Sequence, residues 1–322
     1  WQALVKRFDA PRLRQLFGRY ATYVGSSPFE APGTLNLIAF AEAQGVFRAK
    51  GGLRAVVAAM EALARELGVR FRHGTHVEEI LVHRGRARGV RTAEGEHRAD
   101  AVVFNGDVSA LGRGLLGGSC RKAARPTAPD ARSLSAFTVA IRGRVQGAEL
   151  LHHNVFFSDD YRAEFRDLLG GGRVPEAPTV YVNAQDRAEG APPEGLEAER
   201  FLVLVNAPPN GDRPERWGHA TVERIRRLTD TMLERAGLRF VEDARLETTP
   251  VEFDRRFPGT GGSLYGPRSK GPSAVLSRVA AATKIGALYL AGGSVHPGAG
   301  VPMAAQSGRL AAEKVRADRK RR

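Results

Sequence analysis

A single cysteine, Cys120, stands in a chain of 322 residues. That excludes a disulfide within the chain and a zinc site built on several thiolates. Nowhere do apolar residues run on for the ~18 positions that a membrane-crossing helix needs, so any membrane contact is expected to be peripheral. Aromatic residues make up only 7%. No stripe of them alternates with arginine as binding of single-stranded nucleic acid requires. The eight histidines include no H-x-x-x-H or H-E-x-x-H spacing. His152-His153 reads as part of a strand, where neighbours point to opposite faces and cannot share a metal. Acids are scarce against bases: 35 Asp+Glu face 49 Lys+Arg, a formal charge of +14. That excess points to an anionic partner, unless the cations are simply solvated. No secretory leader is visible, and a lone thiol fits a reducing cytoplasm. The opening run Trp1 to Phe8 is already amphipathic, so the chain is expected to start inside structure.

What is present is enough apolar material, 42%, for a sizeable core. Residues 1–24 read as helical. Pro28, Pro32 and Gly33 break the pattern, and a short helix comes next over 34–43. Gly51-Gly52 opens a helix with Leu53, Val56, Val57, Met60, Leu63 and Leu67 on one 3.6-residue face, and Gly68 ends it. A meander is expected from runs at 69–72, 76–82 and 87–92, with turns at His73-Gly74 and Arg84-Gly85. The run 101–105 suits a strand buried on both faces. Strands are expected at 133–141, 151–157, 179–182 and 201–205, and helices at 159–169 and 214–236. Residues 189–199 read as a polar loop. Thr249-Pro250 should cap a short helix to Phe257, and 257–272 should be irregular. The basic tail 316–322 is expected to be disordered. Asp186-Arg187 is a candidate ion pair, more plausibly at the surface than at a cleft.

The strongest local signal lies near the C-terminus. A buried strand at 287–291 runs into the loop Gly292-Gly293-Ser294-Val295-His296-Pro297-Gly298-Ala299-Gly300, then into a helix from Pro302 rich in Ala, Gly and Ser. Gly298 and Gly300 leave the backbone bare, and the helix start offers free N–H groups to an electron-rich ligand. A tight structural turn without ligand is the alternative. Pro302 loses nothing in a first turn, where its missing N–H would have no partner. His296 is the one histidine worth following, although packing in the turn explains it as well. Gly112-Arg113-Gly114-Leu115-Leu116-Gly117 matches G-x-G-x-x-G in letters alone. The preceding strand ends too early, and Pro126 and Pro129 interrupt the helix and strand that such a motif requires after it.

The segment Leu288 to Pro302 resembles the C-terminal FAD signature of the phytoene-desaturase-type carotenoid oxidoreductases, which are amine-oxidase-like flavoproteins. Gly51-Gly52 with the helix and meander to Asp107 is similar to their second FAD segment. Arg19 to Phe29, Asn105 to Leu111, His153 to Ser158 and Phe257 to Gly262 resemble the hydroxyneurosporene and methoxyneurosporene desaturases, which are 1-hydroxycarotenoid 3,4-desaturases. The resemblance runs through essentially the whole chain. It implies an α/β amine-oxidase-like FAD-binding fold, here its C-terminal part, with a mixed α+β substrate domain. FAD-domain pieces are expected at 45–110 and 284–322, and substrate-domain pieces at 1–44 and 111–283. It also implies FAD held by Gly292, Gly293, Ser294, Gly298, Gly300, Val301, Pro302 and Met303, with the Val77 backbone near the adenine. Ser294 stands where wider relatives often carry an acid, and the N-terminal Gly loop for the pyrophosphate is expected to be missing. The implied reaction is 3,4-desaturation of a 1-hydroxycarotenoid. The implied setting is the cytoplasmic surface of the inner membrane, with the flavin rather than a side chain carrying the chemistry. Phytoene desaturation, carotenoid isomerisation and a non-enzymatic basic protein are the alternatives; no nucleic-acid partner is expected.

Overall fold

The computed structural model describes residues 1–187, 192, 195–271 and 278–320. In chain order the helices α1 (Gln2–Arg7) and α2 (Pro11–Gly18) lead into a 3-10 turn at Arg19–Val24, then α3 (Leu37–Ala43) and α4 (Leu53–Glu66). Strands β1 (Val77–His83), β2 (Arg86–Thr92), β3 (Gly95–Arg98) and β4 (Val102–Phe104) precede α5 (Val108–Arg113). Next come β5 (Ser135–Gly147), β6 (His153–Phe156), α6 (Tyr161–Phe165), β7 (Val180–Ala184) and β8 (Glu199–Ala207). The chain continues through α7 (His219–Arg235), β9 (Leu238–Thr248), α8 (Pro250–Arg256), β10 (Leu288–Leu290) and α9 (Val301–Lys320).

These elements build three sheets. The largest is antiparallel, in the order β6-β7-β8-β5-β9. Its alternation is clean: Phe137, Val139 and Ile141 of β5 face the same side as Val203 and Val205 of β8. They form the main core with Ile225 and Leu233 of α7. Each such side chain contributes about 1.5–3 kcal/mol on burial. A second sheet is the meander β1-β2-β3, and a third is the parallel pair β10-β4. The meander and the parallel pair share one apolar cluster, through Ile80, Ala87, Leu288 and Leu290.

Several sequence expectations need correction. Residues 69–72 form no strand; the meander instead takes Gly95–Arg98 as its third strand, a run too short and polar to read as one. The strand at 102–104 is not buried on both faces, since Val103 is 48% exposed. The long β9, paired along β5, was missed because its outward positions are charged. Arg316–Lys320 continues α9 and is helical; Ser307 and Ala311 anchor the helix, and Asp318 accepts from Tyr289 Oη at 3.0 Å, which holds the tail against β10. The helical stretch at 1–24 breaks after Arg7, where Pro11 starts a new helix. The face expected on α4 exists as a pattern, but no residue of α4 is buried. Asp186 and Arg187 do not pair with each other. Arg200 binds Asp186, while Arg187 forms a bidentate pair with Glu199 at 2.6 and 2.8 Å. Parts of the expected 189–199 loop and of the basic tail, and Pro272, lie outside the described residues. Thr249 caps α8 as expected, in a capping box with Glu252.

The Arg187–Glu199 pair generates a test. Both side chains are 9% exposed, so removing one partner strands a buried charge. Arg187→Met should lower the unfolding free energy by about 3 kcal/mol, and Arg187→Met with Glu199→Leu should recover most of it. Urea unfolding of the single and double variants would show this. A single variant as stable as wild type would refute it.

Candidate functional site

The parallel pairing of β10 with β4 sets Leu288 opposite Val102 and Leu290 opposite Phe104. Both strands then end at the same level, and the turns that leave them touch. After β4, Asp107 caps α5 by accepting the Ser109 N–H at 2.8 Å. After β10, Ser294 accepts the Val108 N–H at 3.3 Å. The hydroxyl at 294 therefore has a structural partner on the helix after β4.

The loop itself is held at three points. Gly292, at φ +113°, donates its N–H to Ser307 Oγ at 2.7 Å. Ser307 in turn donates to the Ala304 carbonyl at 2.7 Å, which ties the strand end to the first turns of α9. A side chain at Gly292 would meet Asn105 Oδ1 at 2.9 Å. Gly293 offers its carbonyl to Arg278, whose Nη1 donates to it at 2.7 Å and to the Tyr265 carbonyl at 2.9 Å. Burial lowers the Arg278 pKa, opposed by the charge of Asp107. The positive charge is thus held against carbonyl oxygens beside the loop. A Cβ at Gly298, φ +140°, would approach Arg278 Nε to 3.3 Å.

The far side of the loop is open. Gly300 has φ +106°, and a Cβ there would meet nothing within 4 Å. Val301 is 62% and Met303 42% exposed. The start of a 20-residue helix thus presents bare backbone to unfilled space, where first-turn N–H groups and the helix dipole favour an electron-rich planar group. Of the residues expected to hold a cofactor, Gly292, Gly293, Ser294, Gly298, Gly300, Val301, Pro302 and Met303 all fall within the one segment 292–303, from the end of β10 into the first turn of α9. Val77 stands on another sheet, opposite Thr92 at the start of β1.

Other candidates resolve differently. Gly114 closes α5 in the left-handed conformation, so the G-x-G-x-x-G letters sit at a helix end, as their context suggested. His296 is exposed and its N–H bonds the Val279 carbonyl at 2.9 Å. His152 lies just before β6, and its ring packs edge-on against His153 at 4.4 Å, rather than on the opposite face. The Nδ1 of His153 bonds Tyr181 Oη at 2.7 Å. Among the described residues no cluster of His, Cys, Asp or Glu could hold a metal. Burial, with Glu79 nearby, pushes the Cys120 thiol up to about 11, so it is an inert core thiol. Arg278 escaped sequence reasoning because one arginine among many gives no signal.

Known proteins resemble the chain along nearly its whole length. The family model for flavin containing amine oxidoreductases matches residues 2–316. Hydroxyneurosporene desaturase of Rubrivivax gelatinosus is 48% identical over 320 residues, covering 97% of this chain and 60% of that protein. The protein of that name from Rhodobacter capsulatus is 44% identical, covering 98% and 63%. The 1-hydroxycarotenoid 3,4-desaturase of Flavobacterium sp. strain P99-3 is 33% identical, covering 96% and 63%. The chain therefore spans about three fifths of the length of these relatives. Among solved structures, an oxidoreductase from Methanosarcina mazei aligns over 98% of this chain and 67% of its own. Its TM-score is 0.56 at 17% identity, a likeness of fold.

The two loop glycines separate by what stands beside them. Both Gly298→Ala and Gly300→Ala strain a positive φ, for about 1–2 kcal/mol each. Gly298→Ala alone also crowds Arg278, so it should be the more destabilising in urea unfolding of the ligand-free chain. The reverse order would show that the open side of the loop is packed after all.

Proposed function

The chain belongs to the flavin containing amine oxidoreductase family, and on that premise we propose that its protein desaturates a 1-hydroxycarotenoid at the C3–C4 bond with FAD. The observation that carries the reading is the loop at 292–303, bare at Gly300 and backed by the start of α9, in a chain whose curated relatives are named as such desaturases. FAD, when bound, takes up the hydrogens removed as the new double bond forms. Polyene C–H bonds are far too weakly acidic for a side chain to deprotonate unaided, so the protein's part is placement.

Each residue then has a defined task. The turn from Gly298 to Met303 would hold the flavin through its backbone, since Gly300 puts no side chain on the open side of the loop. The first-turn N–H groups of α9 would donate to electron-rich atoms of the flavin. Arg278 fixes the loop from behind through Gly293. Val77, in the meander, is assigned to the adenosine end. A carotenoid is insoluble in water, so the protein must meet it at a lipid surface. We assign the +14 charge to that contact, on the cytoplasmic face of the inner membrane. Each basic residue near an anionic surface contributes ~1 kcal/mol, and salt weakens it.

Two measurements test these assignments. The protein carrying this chain would be supplied with FAD and with either a 1-hydroxycarotenoid or the unhydroxylated polyene, and the products separated by chromatography. The hydroxylated substrate should gain one conjugated double bond. Conversion of the unhydroxylated polyene alone would favour a phytoene desaturase, a change of geometry without loss of hydrogen would favour an isomerase, and no conversion of either would sink the reading. In co-sedimentation, binding to anionic vesicles should fall as salt rises; equal binding to neutral vesicles would remove the electrostatic assignment.

A further inference from the structure

The five-stranded sheet has a second face, away from α7. Its register sets Tyr181, Leu204 and Thr138 side by side across three strands, and Leu202 and Leu204 there are half-buried. At one end of this face the 3-10 turn Arg19–Val24 supplies Arg19. Burial raises the phenols of Tyr161, Tyr181 and Tyr265 above the ordinary tyrosine value, and in each the Arg19 charge opposes the rise. The carboxyl of Glu164, 1% exposed, is raised chiefly by burial, again opposed partly by Arg19. One guanidinium felt by five titratable groups, Tyr23 included, marks a compact polar cluster.

The cluster is incompletely bonded. Arg19 Nη1 and Tyr161 Oη are buried and neither closes a hydrogen bond of good geometry, although the two groups act on one another. Tyr161 as a whole is 6% exposed. Asn206 Nδ2, beside Glu164, is in the same condition. Buried polar atoms left this way are rare and call for a partner group. Tyr23, which also feels the Arg19 charge, stands half-exposed at the rim of the cluster.

Its place in the fold is set by Tyr265. The turn at Gly25, φ +63°, leaves no room for a side chain because the Tyr265 ring lies 2.8 Å from where a Cβ would be. The carbonyl of that same tyrosine shares the Arg278 guanidinium with Gly293. Arg278 therefore joins the glycine loop to Tyr265, a member of the Arg19 cluster.

We propose that Arg19, with Tyr161 and Tyr265, receives the hydroxyl end of the substrate, the guanidinium donating to its oxygen. The proposal rests on the desaturase reading and adds the residues that select the substrate. In a 1-hydroxycarotenoid oxidised at C3–C4, one methylene separates the carbon bearing oxygen from the nearer reacting carbon. The group that recognises the hydroxyl must therefore stand near the oxidation site, and Tyr265 ties this cluster to the loop through Arg278. Arginine keeps its charge at any working pH and donates without accepting, which suits a neutral oxygen acceptor. The leucines of the same sheet face offer an apolar wall for the polyene beyond.

Binding decides it without turnover. The chain in detergent micelles would be titrated with a 1-hydroxycarotenoid and with the same polyene lacking the hydroxyl, following the polyene absorption. Wild type should bind the hydroxylated compound at least about tenfold more tightly, and Arg19→Met should bring the two within about twofold. Arg19→Lys should keep part of the preference. Tyr161→Phe deletes one oxygen and keeps the ring, so it reads the same loss if thermal unfolding shows that Arg19→Met does not fold. Equal wild-type affinities overturn the proposal. So does a preference untouched in Arg19→Met or, where that variant does not fold, in Tyr161→Phe. Selective binding by a protein that forms no new double bond would leave this assignment standing and remove the desaturase reading.

Discussion

Two strands of three residues each, from distant parts of the chain, pair in parallel at 102–104 and 288–290. The arrangement of the loop depends on that pairing. It brings the Asp107 turn and the Ser294 turn to one level, so that Ser294 can bond the start of α5. It also fixes where α9 begins. Parallel strands gain stability mainly from burial, and here β10 supplies it: Leu288 and Leu290 are both 1% exposed. The pair is short, yet it is welded to the meander through their shared apolar cluster.

Arg278 does the complementary task from the other side. A charge in a desolvated place needs compensation, and here carbonyl dipoles supply it, at Gly293, Tyr265 and Pro267. The result is a joint between the loop and the segment that packs on the large sheet. The loop is thereby kept rigid on its inner side and bare on its outer side.

Much of this was legible in the sequence where a pattern is local. The strand, loop and helix from 288 to 315, the capping box at Thr249 and the helix end at Gly68 all come from residue types at fixed spacing, whereas the continuation of α9 through Arg316–Lys320 does not. So did the dismissal of Gly112 to Gly117, whose context was wrong for a phosphate turn. The failures are tertiary. Strand β9 hides among charges, because its polar side chains face outward while its backbone bonds β5. Burial of Val103 was expected from an apolar run, but a run records composition and not what covers it. Arg19 and Arg278 carry no local signature, since their meaning arises from carbonyls and phenols that the fold brings to them. Asp186-Arg187 illustrates the same point: the pair lies in the turn that leaves β7, and each residue finds its partner at the start of β8, Arg200 and Glu199.

Helix α4 has a consequence of its own. It is 14 residues long and none of them is buried, while its Leu53, Val57 and Met60, and Leu67 just after it, are each more than 60% exposed. A helix of that length is marginal in water without tertiary support. Local opening of α4 is therefore nearly independent of global unfolding. Its amide hydrogens should therefore exchange with solvent before those of the buried strands β5 and β8. Whatever surface comes to lie on those leucines will be recorded there first, as slowed exchange.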